Sequence, residues 1–131
     1  MIEGNNQRAN QILVCLKDRH KQFDDLMTLT KEMDNSISSN DLDLLGAIIS
    51  MRQTSMDRID GLNLEIKNII DCMESDEQVK VKTLLDAYAE QAMFESQVES
   101  DIHNTNQMTL LLVKKVIEVD RLLNQKIKKG D

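Results

Sequence analysis

Two apolar seams with strict 3-4 spacing constrain this chain more than any other feature. The first reads Ile12, Leu16, Arg19, Phe23, Leu26, Thr30, Met33, Ile37, and the second reads Leu42, Leu45, Ile49, Arg52, Met56, Ile59, Asn63, Ile66, Ile70, Met73. Steps alternating between three and four residues put every member on one face of an α-helix. No strand produces that period. Proline is absent and glycine occurs four times in 131 residues, so the punctuation that short strands and turns need is missing too. The fold class expected is all-α: an antiparallel helical hairpin plus a long third helix, forming a coiled-coil-like three- or four-helix bundle.

The spacing predicts helix 1 over residues 5–37 and helix 2 over 41–73, in one domain covering 1–131. Between them lies "SISSND", a run of small polar residues that compete for backbone hydrogen bonds. Asn40 is the expected N-cap of helix 2. So short a loop forces an antiparallel hairpin, in which the numbers of facing residues sum to about 79. Arg19 then lies beside Asp60, and Arg52 lies near Asp24 or Asp25, pairing the two arginines that interrupt the seams. Cys15 and Cys72 come out offset by about 12 Å of helix rise, too far for a disulfide.

"ESDEQ" marks the next start, with Ser75 and Gln78 as a capping box. Helix 3 is expected over 76–128. Its seam runs Val81, Leu84, Leu85, Tyr88, Ala92, slips at Phe94, and resumes as Val98, Ile102, Thr105, Thr109, Leu112, Val116, Val119, Leu123. Residues 99–107, "ESDIHNTNQ", carry one apolar residue in nine. Helix 3 is therefore either one rod of about fifty residues or two pieces, with a continuous but weak helix or a local kink at 99–107. Gly46 and Gly61, isolated within helix 2, suggest close helix packing there.

Charge and hydropathy divide the end of the chain. Residues 71–107 hold nine acids and two bases, whereas 108–130 hold six bases and two acids. In "TLLLVKKVIEVDRLL", residues 109–123, nine of fifteen residues are Leu, Val or Ile. On a helical wheel Leu110, Leu111, Leu112, Val113, Val116, Ile117, Val119, Leu122, Leu123 and Ile127 spread over roughly 260°. A hairpin covers about half of that. Leu110, Leu111, Ile117 and Leu122 lie off the seam, and leaving them bare risks aggregation. These ten residues are the candidate partner-binding surface, to be covered by a second copy or by another protein's helix.

The sequence offers little for chemistry. A di-iron bundle needs Glu-x-x-His twice; here Glu99 and His103 are four apart and occur once. Cys15 and His20 are five apart on one helix and diverge. There is no glycine-rich phosphate loop, and His103 lacks the basic, glycine-rich surroundings of a phosphotransfer histidine. No enzyme activity, cofactor or metal is expected. The net charge of −7 disfavours nucleic acid and anionic lipid. With no signal peptide or span of about 20 apolar residues, the expected location is cytoplasmic, without membrane insertion.

Residues 26–62, "LMTLTKEMDNSISSNDLDLLGAIISMRQTSMDRIDGL", resemble the core of the FlgN/FliT group of flagellar type III export chaperones. The resemblance lies in a Leu-x-x-Leu-Thr-x-Glu-Met run, an Asn-Asp-Leu turn, and a helix with an Arg followed by Ile-Asp-x-Leu. "NTNQMTLLL", residues 104–112, is similar to the entry to the last helix of FlgN-like members, the subgroup it favours. The resemblance implies a small, acidic, cytoplasmic, non-enzymatic chaperone. Its implied partners are hook–filament junction (hook-associated) or filament cap proteins and the export apparatus, with client binding on the last helix, here 108–127. The alternative is a self-associating coiled-coil or bundle adaptor, a homodimer with no export client.

Overall fold

The computed structural model describes residues 2–86 and 94–130, with side chains within 7–86 and 94–128. Among them are four α-helices: α1 (Ile2–Ser38), α2 (Leu42–Asp71), α3 (Ser75–Leu84) and α4 (Gln97–Gly130). The all-α bundle expected from the seams is what forms. α1 is the common wall, packed along its length against both α2 and α4. Hydrogen bonds fix the directions. Arg19 meets Asn63, and Arg52 meets Met33, so α2 runs antiparallel to α1. His20 meets Thr109, and Asp34 meets Lys126, so α4 runs parallel to α1.

The hairpin closes one step later than the polar loop suggested. Asn40 is not the N-cap: its φ is 56°, the left-handed conformation Asn tolerates best after glycine. The Asp41 amide donates to the Ser36 carbonyl at 2.9 Å and the Asn40 amide to that of Ile37 at 3.2 Å. Together they form a Schellman closure that satisfies the carbonyls left over at the end of α1. Asp41 is the cap of α2, its carboxylate accepting from the Leu44 amide at 3.0 Å. The later turn shifts the register by three residues, so that Arg19 faces Asn63 and not Asp60.

Other expectations are corrected in the same way. The first half of α2 is rotated by about one residue, or 100°, from its expected face, whereas Ile59, Ile66, Ile70 and Met73 are buried where the seam places them. Ile48 is buried while Ile49 is exposed, and Ser55 is buried beside a half-buried Met56. Gly46 and Gly61 meet nothing: a Cβ built at either finds open space within 4 Å. Glu74, not Ser75, precedes the first turn of α3, and Gln78 donates to the Met73 carbonyl at 2.9 Å. Both cysteines are free, Cys15 buried and Cys72 exposed.

Among the described residues, the expected helix 3 gives α3, ending at Leu84, and α4, starting at Gln97, and 99–107 lies within α4. Tyr88 and Ala92 lie outside the described residues. The polar run 99–107 stays helical because its side chains have partners. The last carbonyls of α3 and the residues just after it accept hydrogen bonds from α4. His103 Nδ1 lies 3.1 Å from the Leu84 oxygen, Asn106 donates to the Leu85 oxygen at 3.0 Å, and Gln107 donates to that of Asp86 at 3.5 Å. A carbonyl only accepts, so His103 Nδ1 carries the proton. α4 thus caps α3 from the side, supplying partners that the end of a short helix lacks.

The apolar interior falls into three clusters. The largest joins α1, α2, α3 and α4 around Ile12, Leu16, Ile66, Ile70, Val81 and Ile102, with Phe94 and Val98 packed against it. Leu26, Ile59 and Val116 form the second, and Met33, Ile48 and Leu123 the third. Each such side chain contributes about 1.5–3 kcal/mol on burial. A polar layer separates the first cluster from the second. Arg19 donates to Asn63 at 2.8 Å and to Asn106 at 2.7 Å, tying three helices together. Burial pushes the Arg19 guanidinium below its ordinary range. Thr109 gives its proton to the Thr105 carbonyl, so its oxygen accepts from His20 Nδ1 at 3.0 Å.

Candidate partner-binding surface

α4 carries all ten candidate residues, and the bundle sorts them by direction. Its inward line is Thr109, Val116 and Leu123, each buried. Val116 packs with Leu26 and Ile59, and Leu123 with Met33 and Ile48. These two side chains are committed to the interior in this arrangement. Leu110, Leu112, Val113 and Val119 are half-buried along its edges. Four remain open to solvent: Leu111 at 60% exposure, Ile117 at 61%, Leu122 at 50% and Ile127 at 43%. The hairpin therefore hides the seam of α4 and leaves its flanks and outer face uncovered.

The two flanks differ. On the side facing α2, Asp120 receives Arg52 at 2.9 Å. Ile117 sits three residues before Asp120, so it shares that flank. On the side facing α1, Val119, Leu122, Leu123 and Lys126 meet Lys31 and Asp34 across a groove of about 330 Å³. Lys126 is tied there, to Asp34 at 2.6 Å and to Ser38 at 2.7 Å. Arg121 on the outer face holds Glu118 at 2.6 Å, and that contact keeps the Glu118 carboxyl below the usual range.

Exposed apolar side chains also occur where the sequence did not direct attention. Leu42, Leu44, Ile49 and Met51 are open on the first half of α2, and Val14 and Leu64 on the hairpin. The adjacent isoleucines Ile48 and Ile49 were the available signal, since one helix face takes only one of the pair.

Beside α3, three charged groups pair with one another. A cavity of about 280 Å³ beside α3 is lined by Lys80, Glu95 and Glu99 among apolar neighbours. Lys80 bridges the two carboxylates at 2.8 and 3.2 Å. The hydrogen bond from Lys80 holds the Glu95 carboxyl below its ordinary range. Among the described residues no three His, Cys, Asp or Glu side chains converge to hold a metal ion, and no helix is long and apolar enough to cross a membrane. His103 is buried and His20 half-buried, engaged with the Leu84 carbonyl and Thr109 respectively. No family model, curated protein or solved structure matches the chain.

Proposed function

We propose that this chain is a cytoplasmic export chaperone of the FlgN/FliT kind. Its clients are helical segments of late flagellar subunits, the hook–filament junction or cap proteins, which it passes to the export apparatus. The observation that supports this is the set of apolar side chains left open on the two flanks of α4, Leu111, Ile117, Leu122 and Ile127, in a segment rich in lysine. The resemblance of 26–62 and 104–112 to the FlgN/FliT group supports this reading. The mechanism is coverage: the client lays its own apolar stripe on these side chains and stays monomeric until export, with no covalent step.

Leu111→Asp with Ile117→Asp tests this, because both side chains already face solvent and the core is left intact. The double variant keeps its helical circular dichroism and its melting temperature but no longer co-purifies with a junction or cap subunit. Undiminished co-purification contradicts the proposal. Substituting Val116 would confound the test, since that side chain supports the second core cluster.

The alternative is a self-associating adaptor that buries the same four residues against a second copy. Sedimentation at micromolar concentration distinguishes it: a tight dimer that binds none of these subunits favours the adaptor.

A further inference from the structure

The geometry points to the groove between α1 and α4 as the seat of an amphipathic helix whose apolar stripe is flanked by carboxylates. This rests on reading the chain as a binding protein and names the chemistry of what it binds. The groove has an apolar floor and a cationic rim. Leu123 closes the bottom at 5% exposure, Val119 is half-buried, and Leu122 is half open. The stripe continues along α4 through Lys115 to Leu111, at helical steps of four. Three apolar and two cationic side chains thus share one flank: Leu111, Val119 and Leu122 with Lys115 and Lys126.

The carboxylates beside this flank are already paired, Glu118 with Arg121 and Asp34 with Lys126. Asp34 is the carboxylate lining the groove, and Lys126 already engages it at 2.6 Å. Lys31 across the groove and Lys115 along it have no ion pair among the described residues. By contrast, the groove between α1 and α2 is lined by one Asp25 and one Arg58 around Leu29 and Met51, a balanced pair. A positive flank on a chain of net charge −7 is a local exception. Opposite charge across an interface selects partners and speeds encounter. A helix with Glu or Asp beside its leucines complements this flank; one with lysines does not.

The test uses the full chain and two designed helical peptides of about 18 residues, five turns long. They share one leucine stripe, and their flanks are glutamate in one and lysine in the other. Fluorescence anisotropy is expected to show the glutamate peptide binding about tenfold tighter at about 0.05 M salt, with the advantage shrinking at about 0.5 M. Lys31→Glu with Lys115→Glu reverses the preference, and Leu122→Asp weakens both peptides. Equal affinity for the two peptides overturns the inference. So does binding lost in Ile117→Asp but intact in Leu122→Asp, which moves the occupant to the other flank and leaves the binding-protein reading standing. A chain that binds neither peptide and sediments as a dimer, becoming monomeric in Leu122→Asp, overturns both.

Discussion

Both carboxylate oxygens of Asp120 on α4 accept from a single nitrogen of Arg52 on α2, at 2.9 and 3.1 Å. The other terminal nitrogen of Arg52 points to the Met33 sulfur on α1 at 3.3 Å. One guanidinium therefore touches all three long helices, between the second and third core clusters. Its seam position is explained by α4, which the two-helix arithmetic did not include.

Removing one partner here should cost more than removing both. Asp120→Ala leaves a mostly buried cation with little but a sulfur, and after solvent screening the expected loss is about 1 kcal/mol or less in urea unfolding. Asp120 itself is more than one-third exposed, so the coupling between the two residues is expected to be about 1 kcal/mol or less. Arg52→Met with Asp120→Leu should unfold near the wild-type midpoint. A double variant as weak as the sum of the singles contradicts this account.

The hairpin loop gives two substitutions of opposite sign. Asn40→Gly relieves a left-handed residue and should stabilise by about 0.5 kcal/mol. Asp41→Ala removes the cap of α2 and should destabilise by about 1 kcal/mol. Thermal unfolding of the two variants checks both signs.

Gly46→Ala and Gly61→Ala should each stabilise by about 0.5–1 kcal/mol. Neither site has positive φ, and an added Cβ meets nothing. A loss of stability at either would mean that a close neighbour approaches there in solution.

The cysteines should react at very different rates. Cys72 is exposed and takes a thiol reagent promptly, while Cys15 reacts only as the chain opens. Burial, followed by the nearby Glu65 carboxylate, pushes the Cys15 thiol above its ordinary 9.0. The unfolded chain therefore releases that proton first. The stability it contributes is intact below pH 9 and falls as pH rises above it. Cys15→Ala should flatten that alkaline decline, as measured by urea midpoints across pH.

Much of the architecture was legible because helical period is a local property. The seam of α1 is buried where it was marked, at Ile12, Leu16, Leu26, Thr30 and Met33. The seam of α4 likewise turns Ile102, Thr109, Val116 and Leu123 inward. What failed depended on a third element. Polarity in 99–107 suggested weakness, yet His103 and Asn106 were matched to carbonyls at the end of α3, an end that no local pattern locates. Arg19 and Arg52 were assigned carboxylates on the hairpin because only two helices were in register; Asn106 and Asp120 come from α4. On the candidate surface, the wheel separated Leu110, Leu111, Ile117 and Leu122 from the seam; the last three are exposed, and Leu110 is half-buried. It could not divide the flank facing α1 from the one facing α2, because that requires the bundle's handedness.

The account depends most on the outer side of α4 being where another protein's helix settles. Methyl resonances of selectively labelled Leu, Val and Ile side chains test it directly, recorded as an unlabelled hook-junction or cap subunit is added. Leu111, Ile117 and Leu122 are predicted to shift or broaden. Val14 and Leu64, each 59% exposed on the hairpin, serve as equally open controls and should stay in place. Shifts confined to Val14 and Leu64, or none on α4 at saturating subunit, would contradict it.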